Sequence, residues 1–313
     1  MVQQQNTIRN LRIILTVLMI VFISYYGYSN REGFKVLLEI NKIDLVCFSI
    51  FLLLASFFNA AQNAVLIRSL GVPFSDLESF GLSNISALTN LIVPQGVTVT
   101  KAVYLKHRHG ISYSKFSALF LGLLVIFLLI GALLMTVTNL LAMMQGIEVP
   151  IILWGGAFLA GATTLLFFFE VPKEVFTKFG RVGALVENFS DGWNQIRINK
   201  ACLLKACLLQ IAIFISLGLS VTFAYRSVGI DISPVLGVSL AVFIAFSNLI
   251  AIVPGNLGIQ ETVYGYLTFV SGLLFVQGIV ISMLMRAVGL AITLMLAPIS
   301  WYFLLFRHSI RLS

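Results

Sequence analysis

The chain has 313 residues, of which 59% are hydrophobic and only 10% are charged, and its formal net charge is +8. An ordinary soluble domain carries about 25% charged residues, so this composition and a mean hydropathy of +1.01 exclude a soluble enzyme. Apolar runs long enough to cross the hydrocarbon core of a bilayer recur along the whole sequence. The sequence therefore predicts an all-α polytopic membrane protein with one transmembrane domain over residues 1–313.

Six apolar runs are predicted to span the bilayer completely. The first ends in Tyr25 and Tyr26 with no small-residue cleavage site nearby, so we interpret it as a retained anchor and not as a signal peptide. Between the fourth and fifth runs, residues 170–203 mix basic, acidic and apolar side chains, and either an amphipathic helix on the inner surface or a solvated connector fits them. The six runs are residues 13–28, 44–67, 116–142, 150–169, 203–225 and 277–306.

Two further apolar stretches, residues 80–105 and 236–272, are interrupted by helix-breaking residues. Backbone groups freed at a break cannot face lipid, because unsatisfied N–H and C=O groups are costly there. Both stretches are therefore predicted to be re-entrant hairpins whose breaks are buried in protein or line a wet cavity. The breaks are Pro94 and Gly96 in the first stretch, and Pro254, Gly255 and Gly258 in the second.

The two broken stretches also resemble each other, which favours an inverted repeat with halves of about 44–142 and 203–306. Paired interrupted segments in two halves indicate the midplane binding site of a transporter. The matching segments are short and consist of common membrane residues, so chance similarity is the alternative. The matches are Asn90-Leu91-Ile92 with Asn248-Leu249-Ile250, Val93-Pro94 with Val253-Pro254, and Lys101 with Glu261, each seven residues beyond its proline.

Basic residues in the loops predict the orientation. When each hairpin leaves on the side it entered, fourteen Lys and Arg residues lie on one side and four on the other. By the positive-inside rule, both termini are predicted to lie in the cytoplasm, in the cell membrane. Attraction to anionic headgroups explains the net charge without any nucleic-acid partner. The larger set is Arg9, Arg12, Arg68, Lys106, Arg108, Lys115, Lys173, Lys178, Arg181, Arg197, Lys200, Lys205, Arg307 and Arg311; the smaller is Arg31, Lys35, Lys42 and Arg226.

Three ionisable residues fall within apolar segments: Lys101, Glu261 and Arg286. An unpaired charge at the centre of a membrane helix costs about 2.5–3.5 kcal/mol or more, so Arg286 needs an anion, and Glu261 is the obvious protein partner. Two interpretations remain open. The pair could simply hold the second hairpin to the last span, or Arg286 and Lys101 could bind a phosphate-bearing headgroup.

Four uncharged side chains are predicted to join this site. Gln95 and Asn256 lie at the two breaks and can donate or accept hydrogen bonds. The helix that begins after Gly258 is expected to point its N-terminal amides at the same anion. Tyr104 and Tyr264 each follow a charge by three residues and so share its helix face, although an interfacial aromatic belt would also explain these tyrosines.

The sequence contains no motif for catalysis, nucleotide binding or metal binding. Its three cysteines lack the CxxC spacing of a zinc site, and His107 and His109 have no further ligand nearby. No catalytic residue, cofactor or metal is therefore predicted. The many glycines, including Gly218, Gly265 and Gly289, are interpreted as positions where helices approach closely.

Several of these segments resemble the transmembrane family of lysylphosphatidylglycerol synthase. The resemblance implies a lipid-handling fold with two re-entrant hairpins, whereas aminoacyl transfer belongs to a separate soluble domain in bifunctional members. Family members usually carry arginine near the position of Lys101, and another in the span after the first hairpin, where this chain has Leu119-Phe120-Leu121-Gly122. The similar segments are Arg68 to Ser75, Asn90 to Gly96, Lys101 to Ser112, Val253 to Glu261, and Arg286.

The charges and the resemblance together favour a flippase-like transporter of an anionic lipid. The substrate would be a phospholipid derivative or a polyprenyl-phosphate-linked glycan precursor, and Glu261 would neutralise Arg286 while the site is empty. One alternative is a non-catalytic membrane partner of glycosyltransferases or other proteins of polysaccharide assembly. The other is a lipid-dependent membrane transferase, for which Glu261 is the best candidate carboxylate.

Overall fold

The computed structural model describes residues 39–92, 95–168, 199–249 and 256–306, and within these ranges the regular structure is α-helical. The predicted first span, the breaking residues Pro94, Pro254 and Gly255, and most of the connector at 170–203 lie outside the described residues. The described helices are α1 (Lys42–Arg68), α2 (Asp76–Ile92), α3 (Gly96–His109), α4 (Tyr113–Met144), α5 (Ile151–Phe168), α6 (Lys200–Ser227), α7 (Pro234–Ser247), α8 (Ile259–Val270) and α9 (Phe275–Phe306).

Four of the described helices are long and apolar enough to cross a membrane: α1, α4, α6 and α9. They coincide with the predicted spans at 44–67, 116–142, 203–225 and 277–306. A fifth predicted span, 150–169, forms the 18-residue helix α5. The protein is therefore a multi-pass membrane protein built from helices.

Local sequence explains where several of the helices begin. The Asn41 side chain accepts a hydrogen bond from the Ile43 amide at 3.0 Å and so caps α1. Asn199 caps α6 in the same way through the Cys202 amide at 3.0 Å, and Ser112 caps α4. Pro234 occupies the first turn of α7, where its missing N–H costs no helical hydrogen bond.

Each broken stretch forms two helices that pack against each other, α2 with α3 and α7 with α8. In the first pair, Gln95 adopts a left-handed conformation with φ 63° just before α3 begins. A Cβ atom at Gly96 would lie 2.5 Å from the carbonyl carbon of Thr89, so the return of the chain requires glycine here. The Thr89 and Thr100 hydroxyls, 2.8 Å apart, join the two helices beyond the turn.

The described helices follow the same order of lengths in both halves, long, short, short, long, with α1–α4 in the first half and α6–α9 in the second. The halves meet along α1 and α6, and each short helix that opens a hairpin packs against the last helix of the other half: α2 against α9, and α7 against α4. The largest buried cluster lies between them and includes Phe48, Met135, Phe214 and Val242.

Glycines allow two of the closest approaches, as predicted. A Cβ atom at Gly218 would overlap Val238 of α7, and one at Gly265 would lie 2.7 Å from the Phe275 ring. The prediction for Gly289 was wrong, because the nearest atom to a Cβ there would be Leu52 Cδ2 at 3.9 Å, an ordinary contact. A Cβ atom would therefore fit at Gly289, whereas at Gly218 it would meet the side chain and backbone of Val238.

Candidate functional site

The centre of the candidate site is an ion pair between the first turn of α8 and the middle of α9. Arg286 Nη2 lies 2.8 Å from Glu261 Oε1, and the two side chains are 24% and 4% exposed, respectively. The pairing expected from the sequence is therefore present. Because the Glu261 carboxylate lies at a helix N-terminus, the dipole of α8 also stabilises its charge.

Two further contacts fix this pair. The amide of Gly258 donates to Glu261 Oε2 at 2.7 Å, so both carboxylate oxygens bind protein groups. Arg286 Nη2 also donates to Gln260 Oε1 at 3.2 Å. The sequence reasoning missed Gln260, although its position beside Glu261 in the same helical turn was the available signal.

Packing between α8 and α9 brings the guanidinium to the carboxylate. A Cβ atom at Gly278 would overlap the Tyr264 carbonyl, so the start of α9 lies directly against α8. Tyr264 is buried one turn beyond Glu261, and the hydroxyl of Thr268 in the next turn contacts Tyr225 of α6. The predicted residue Tyr264 thus lies in the protein interior beside the ion pair and not in an exposed aromatic belt.

Asn256 joins the two sides of the second break. Its side chain is buried, its backbone is left-handed with φ 54°, and its Nδ2 donates to Asn248 Oδ1 at 3.0 Å. Its Oδ1 atom has no hydrogen-bond partner among residues for which the structure is described. Asn256 therefore fixes the end of α7 relative to the start of α8 and presents one buried acceptor.

The predicted residues of the first hairpin lie apart from this ion pair. Gln95 is exposed at the start of α3 and its side chain caps no amide. Lys101 is half-buried, and within the described ranges no hydrogen bond or ion pair connects it to Glu261 or Arg286. The geometry thus brings together Glu261, Arg286 and Tyr264, with Asn256 at the adjacent break.

Tyr104 belongs to a second polar cluster, with Glu78 of α2 and His109 at the end of α3. The Tyr104 hydroxyl donates to Glu78 Oε1 at 2.8 Å, and His109 Nε2 lies 2.8 Å from the same oxygen. Glu78 Oε1 therefore accepts from the Tyr104 hydroxyl and also contacts the His109 ring. Glu78 precedes Tyr104 by 26 residues, so no local spacing could have indicated this cluster.

In the described ranges, no three His, Cys, Asp or Glu side chains lie together in a group that could hold a metal ion. The two polar clusters instead offer charge-assisted hydrogen bonding. Arg286 carries a donor fork suited to phosphate or carboxylate, and Glu261 neutralises it in the observed state.

A family model described as the transmembrane region of lysylphosphatidylglycerol synthase matches residues 10–297. The match includes both broken stretches and Arg286, on which the sequence resemblance rested. No curated protein and no solved structure was found to match the chain.

Proposed function

Because the chain belongs to the lysylphosphatidylglycerol synthase transmembrane-region family and has the apolar helices of a multi-pass membrane protein, we propose that it translocates an anionic lipid across the cytoplasmic membrane. The family and the apolar helices fit a role connected with membrane lipid. Our proposal adds three things to that role: translocation of the lipid, a phosphate group on the substrate, and the residues that bind it.

The observation that carries this proposal is the partly open ion pair of Glu261 and Arg286. A pair that served only as a staple needs no access from outside, yet Arg286 keeps 24% of its side chain exposed. An arriving phosphate can therefore reach the guanidinium and compete with Glu261 for it. Arginine suits this exchange, since its planar fork can bind two phosphate oxygens at once.

Glu261 is placed to release Arg286 at low cost. When the guanidinium turns to a phosphate, Glu261 keeps its hydrogen bond from Gly258 and the favourable dipole of α8. The Gly258 amide and the helix dipole therefore compensate part of the carboxylate's charge while Arg286 binds the ligand. In the empty state, Glu261 and Arg286 neutralise each other. In the loaded state, the bound phosphate takes the place of Glu261 beside Arg286.

In this proposal, the remaining predicted residues bind other parts of the headgroup, either in the same conformation of the protein or in the one that opens to the other side of the membrane. Lys101 offers a second cation in the first hairpin, and Gln95 and Asn256 offer uncharged hydrogen-bonding groups at the two breaks. We propose that the two halves form an inverted repeat of re-entrant hairpins, with Lys101 and Glu261 in corresponding positions. The equal order of helices and the exchanged packing of α2 and α7 support this symmetry.

Translocation in liposomes containing purified protein tests the proposal. The lipids to compare are labelled phosphatidylglycerol, its aminoacyl derivative and a short polyprenyl-phosphate glycan. We expect one of them to be flipped, and we expect Glu261→Gln and Arg286→Ala each to abolish the flipping. Arg226→Ala is the matched control, because Arg226 is exposed, lies 3.8 Å from Asp231 and over the Phe223 ring, and belongs to neither predicted site. Unchanged rates in both site variants would refute the site, and no flipping of any lipid by folded protein would refute the function.

A further inference from the structure

A cavity of about 560 Å³ lies between the end of α1, the start of α2 and the end of α9. Its volume falls in the range of about 300–1,000 Å³ that is usual for ligand pockets. The residues of α9 that line it begin at Leu296, ten positions after Arg286, which corresponds to about 15 Å along a helix. The cavity is therefore separate from the ion pair of the proposed transport site.

One end of the cavity is polar and contains a cation with unused donors. Arg68, the last residue of α1, lines it, and Arg68 Nη2 lies 2.8 Å from Asp76 Oδ1. A guanidinium has five N–H donors, and this is the one side-chain hydrogen bond that Arg68 forms with the described part of the chain. Because the Arg68–Asp76 pair is exposed and hence weak, Arg68 can accept a second anion without losing much.

The other walls are apolar and open toward the lipid-facing side of the last helix. Ile299 and Phe303 of α9 line the cavity and are about half exposed, as is Leu77 of α2. In a membrane-crossing helix such side chains are suited to contact hydrocarbon. Ile299 and Phe303 belong to α9, which is long and apolar enough to cross a membrane, whereas Arg68 is the last residue of α1.

A polar cluster fixes the wall between these two ends. Glu78 and Tyr104 both line the cavity, and Glu78 Oε1 is occupied by the Tyr104 hydroxyl and His109. The partly buried Glu78 carboxylate therefore has one oxygen bound by protein groups, and Arg68 is the group at the polar end with donors to spare. A ligand that matches this lining has an anionic head and a hydrocarbon body.

We propose that this cavity binds one hydrocarbon chain of a phospholipid and that Arg68 binds its phosphate. The assignment goes beyond the proposed transport, since it requires neither Arg286 nor movement of lipid between leaflets. It also accounts for the combination of an exposed guanidinium and a half-open apolar pocket at the boundary of two membrane-crossing helices.

Photolabelling in vesicles tests the assignment. The probe is phosphatidylglycerol with a diazirine near the end of one acyl chain, and the labelled peptides are identified by mass spectrometry. We expect labelling to concentrate in residues 73–81 and 296–304, which contain most of the residues that line the cavity. Ile299→Trp fills the cavity and should reduce this labelling, whereas Met295→Trp, on an exposed part of α9 outside the lining, should not.

A second set of variants tests the contact between Arg68 and the lipid phosphate. Arg68→Gln should weaken labelling up to about fivefold, the effect of losing one exposed ion pair, and Arg226→Gln should leave it unchanged. A diazirine diacylglycerol, which lacks phosphate, should label wild type as weakly as phosphatidylglycerol labels Arg68→Gln. Equal labelling by the two lipids would overturn the role of Arg68, and competition by millimolar inorganic phosphate alone would indicate a free-anion site instead.

Two further outcomes would overturn the lipid assignment. One is uniform labelling along α9 that Ile299→Trp does not change. The other is efficient chemical cross-linking of the cavity to residues 169–198, which would make this segment of the chain the occupant. Arg286→Ala should leave cavity labelling unchanged even where it abolishes transport, so the two proposals fail independently. Each variant is checked for a monodisperse profile and helical circular dichroism before labelling.

Discussion

Glu261 uses its two carboxylate oxygens on different partners, the Gly258 amide and the Arg286 guanidinium. The first contact lies within one helical turn, and the second joins two helices. Because the first partner is a backbone amide, replacing Arg286 removes the ion pair and keeps the capping contact, so substitutions can separate the two. This separation decides whether the pair is a staple or a binding site.

Single and double substitutions at the ion pair should behave differently. We expect Arg286→Met to destabilise the protein by about 2–3 kcal/mol, less than the 3–5 typical of a sealed pair, since Arg286 is partly exposed. Combining it with Glu261→Gln should recover most of the stability, because no uncompensated charge remains. Thermal unfolding in detergent measures the stability, and the liposome assay measures transport. Recovery of transport in the double variant would show that the pair is only a staple.

Asn256 allows the conformational and hydrogen-bonding contributions to be separated. Its φ of 54° suits glycine but strains alanine, whereas both substitutions lose the hydrogen bond to Asn248. We expect Asn256→Ala to be less stable than Asn256→Gly by about 1 kcal/mol, as measured by thermal unfolding. Equal stabilities would show that the left-handed conformation is not required.

The residue-scale expectations succeeded where a residue conflicted with its surroundings. Arg286 and Glu261 could be paired from the sequence because each is a charge within an apolar segment. Glu78 gave no such signal, because it lies near the start of α2 in a polar turn where a carboxylate is ordinary. Its contacts with Tyr104 and His109 depend on how α2 and α3 fold back on each other, which no local spacing records.

At the scale of helices, the sequence predicted where the chain breaks but not how tightly it returns. Proline and glycine cannot continue a helix without cost, so both interruptions were visible. How closely two helices of a hairpin pack depends on which glycine contacts the backbone of the neighbouring helix. Gly96 lies against the carbonyl of Thr89, whereas Gly289 has space around it, and composition cannot distinguish the two.

Gly96→Ala should open the first hairpin. The new methyl group would lie 2.5 Å from the Thr89 carbonyl, and backbone cannot move aside as a flexible side chain can. Overpacking of this kind costs about 1–3 kcal/mol. Gly155→Ala is the matched control, because nothing lies within 4 Å of a Cβ atom there. Thermal unfolding that ranks the two variants equally would contradict a tightly packed first hairpin.

At the scale of the whole molecule, the loop charges predict which ends face the cytoplasm. With the native cysteines replaced, Ser114→Cys should be protected from a membrane-impermeant maleimide in intact cells, and Asp231→Cys should react. Both positions are exposed, so reactivity reports the side of the membrane. The reverse pattern would invert the proposed orientation, and equal labelling would contradict the assumption that each hairpin leaves on the side it entered.

The packing of α2 against α9 has a consequence for how the protein is made. The last helix begins at Phe275, more than 180 residues after α2 ends at Ile92. At a synthesis rate of about 5–20 residues per second, the ribosome needs roughly 10–40 s to supply the partner of α2. During this time the surface of α2 that packs against α9 has no partner in the nascent chain. A chain truncated before α9 would expose the same surface to the cell's quality-control proteases.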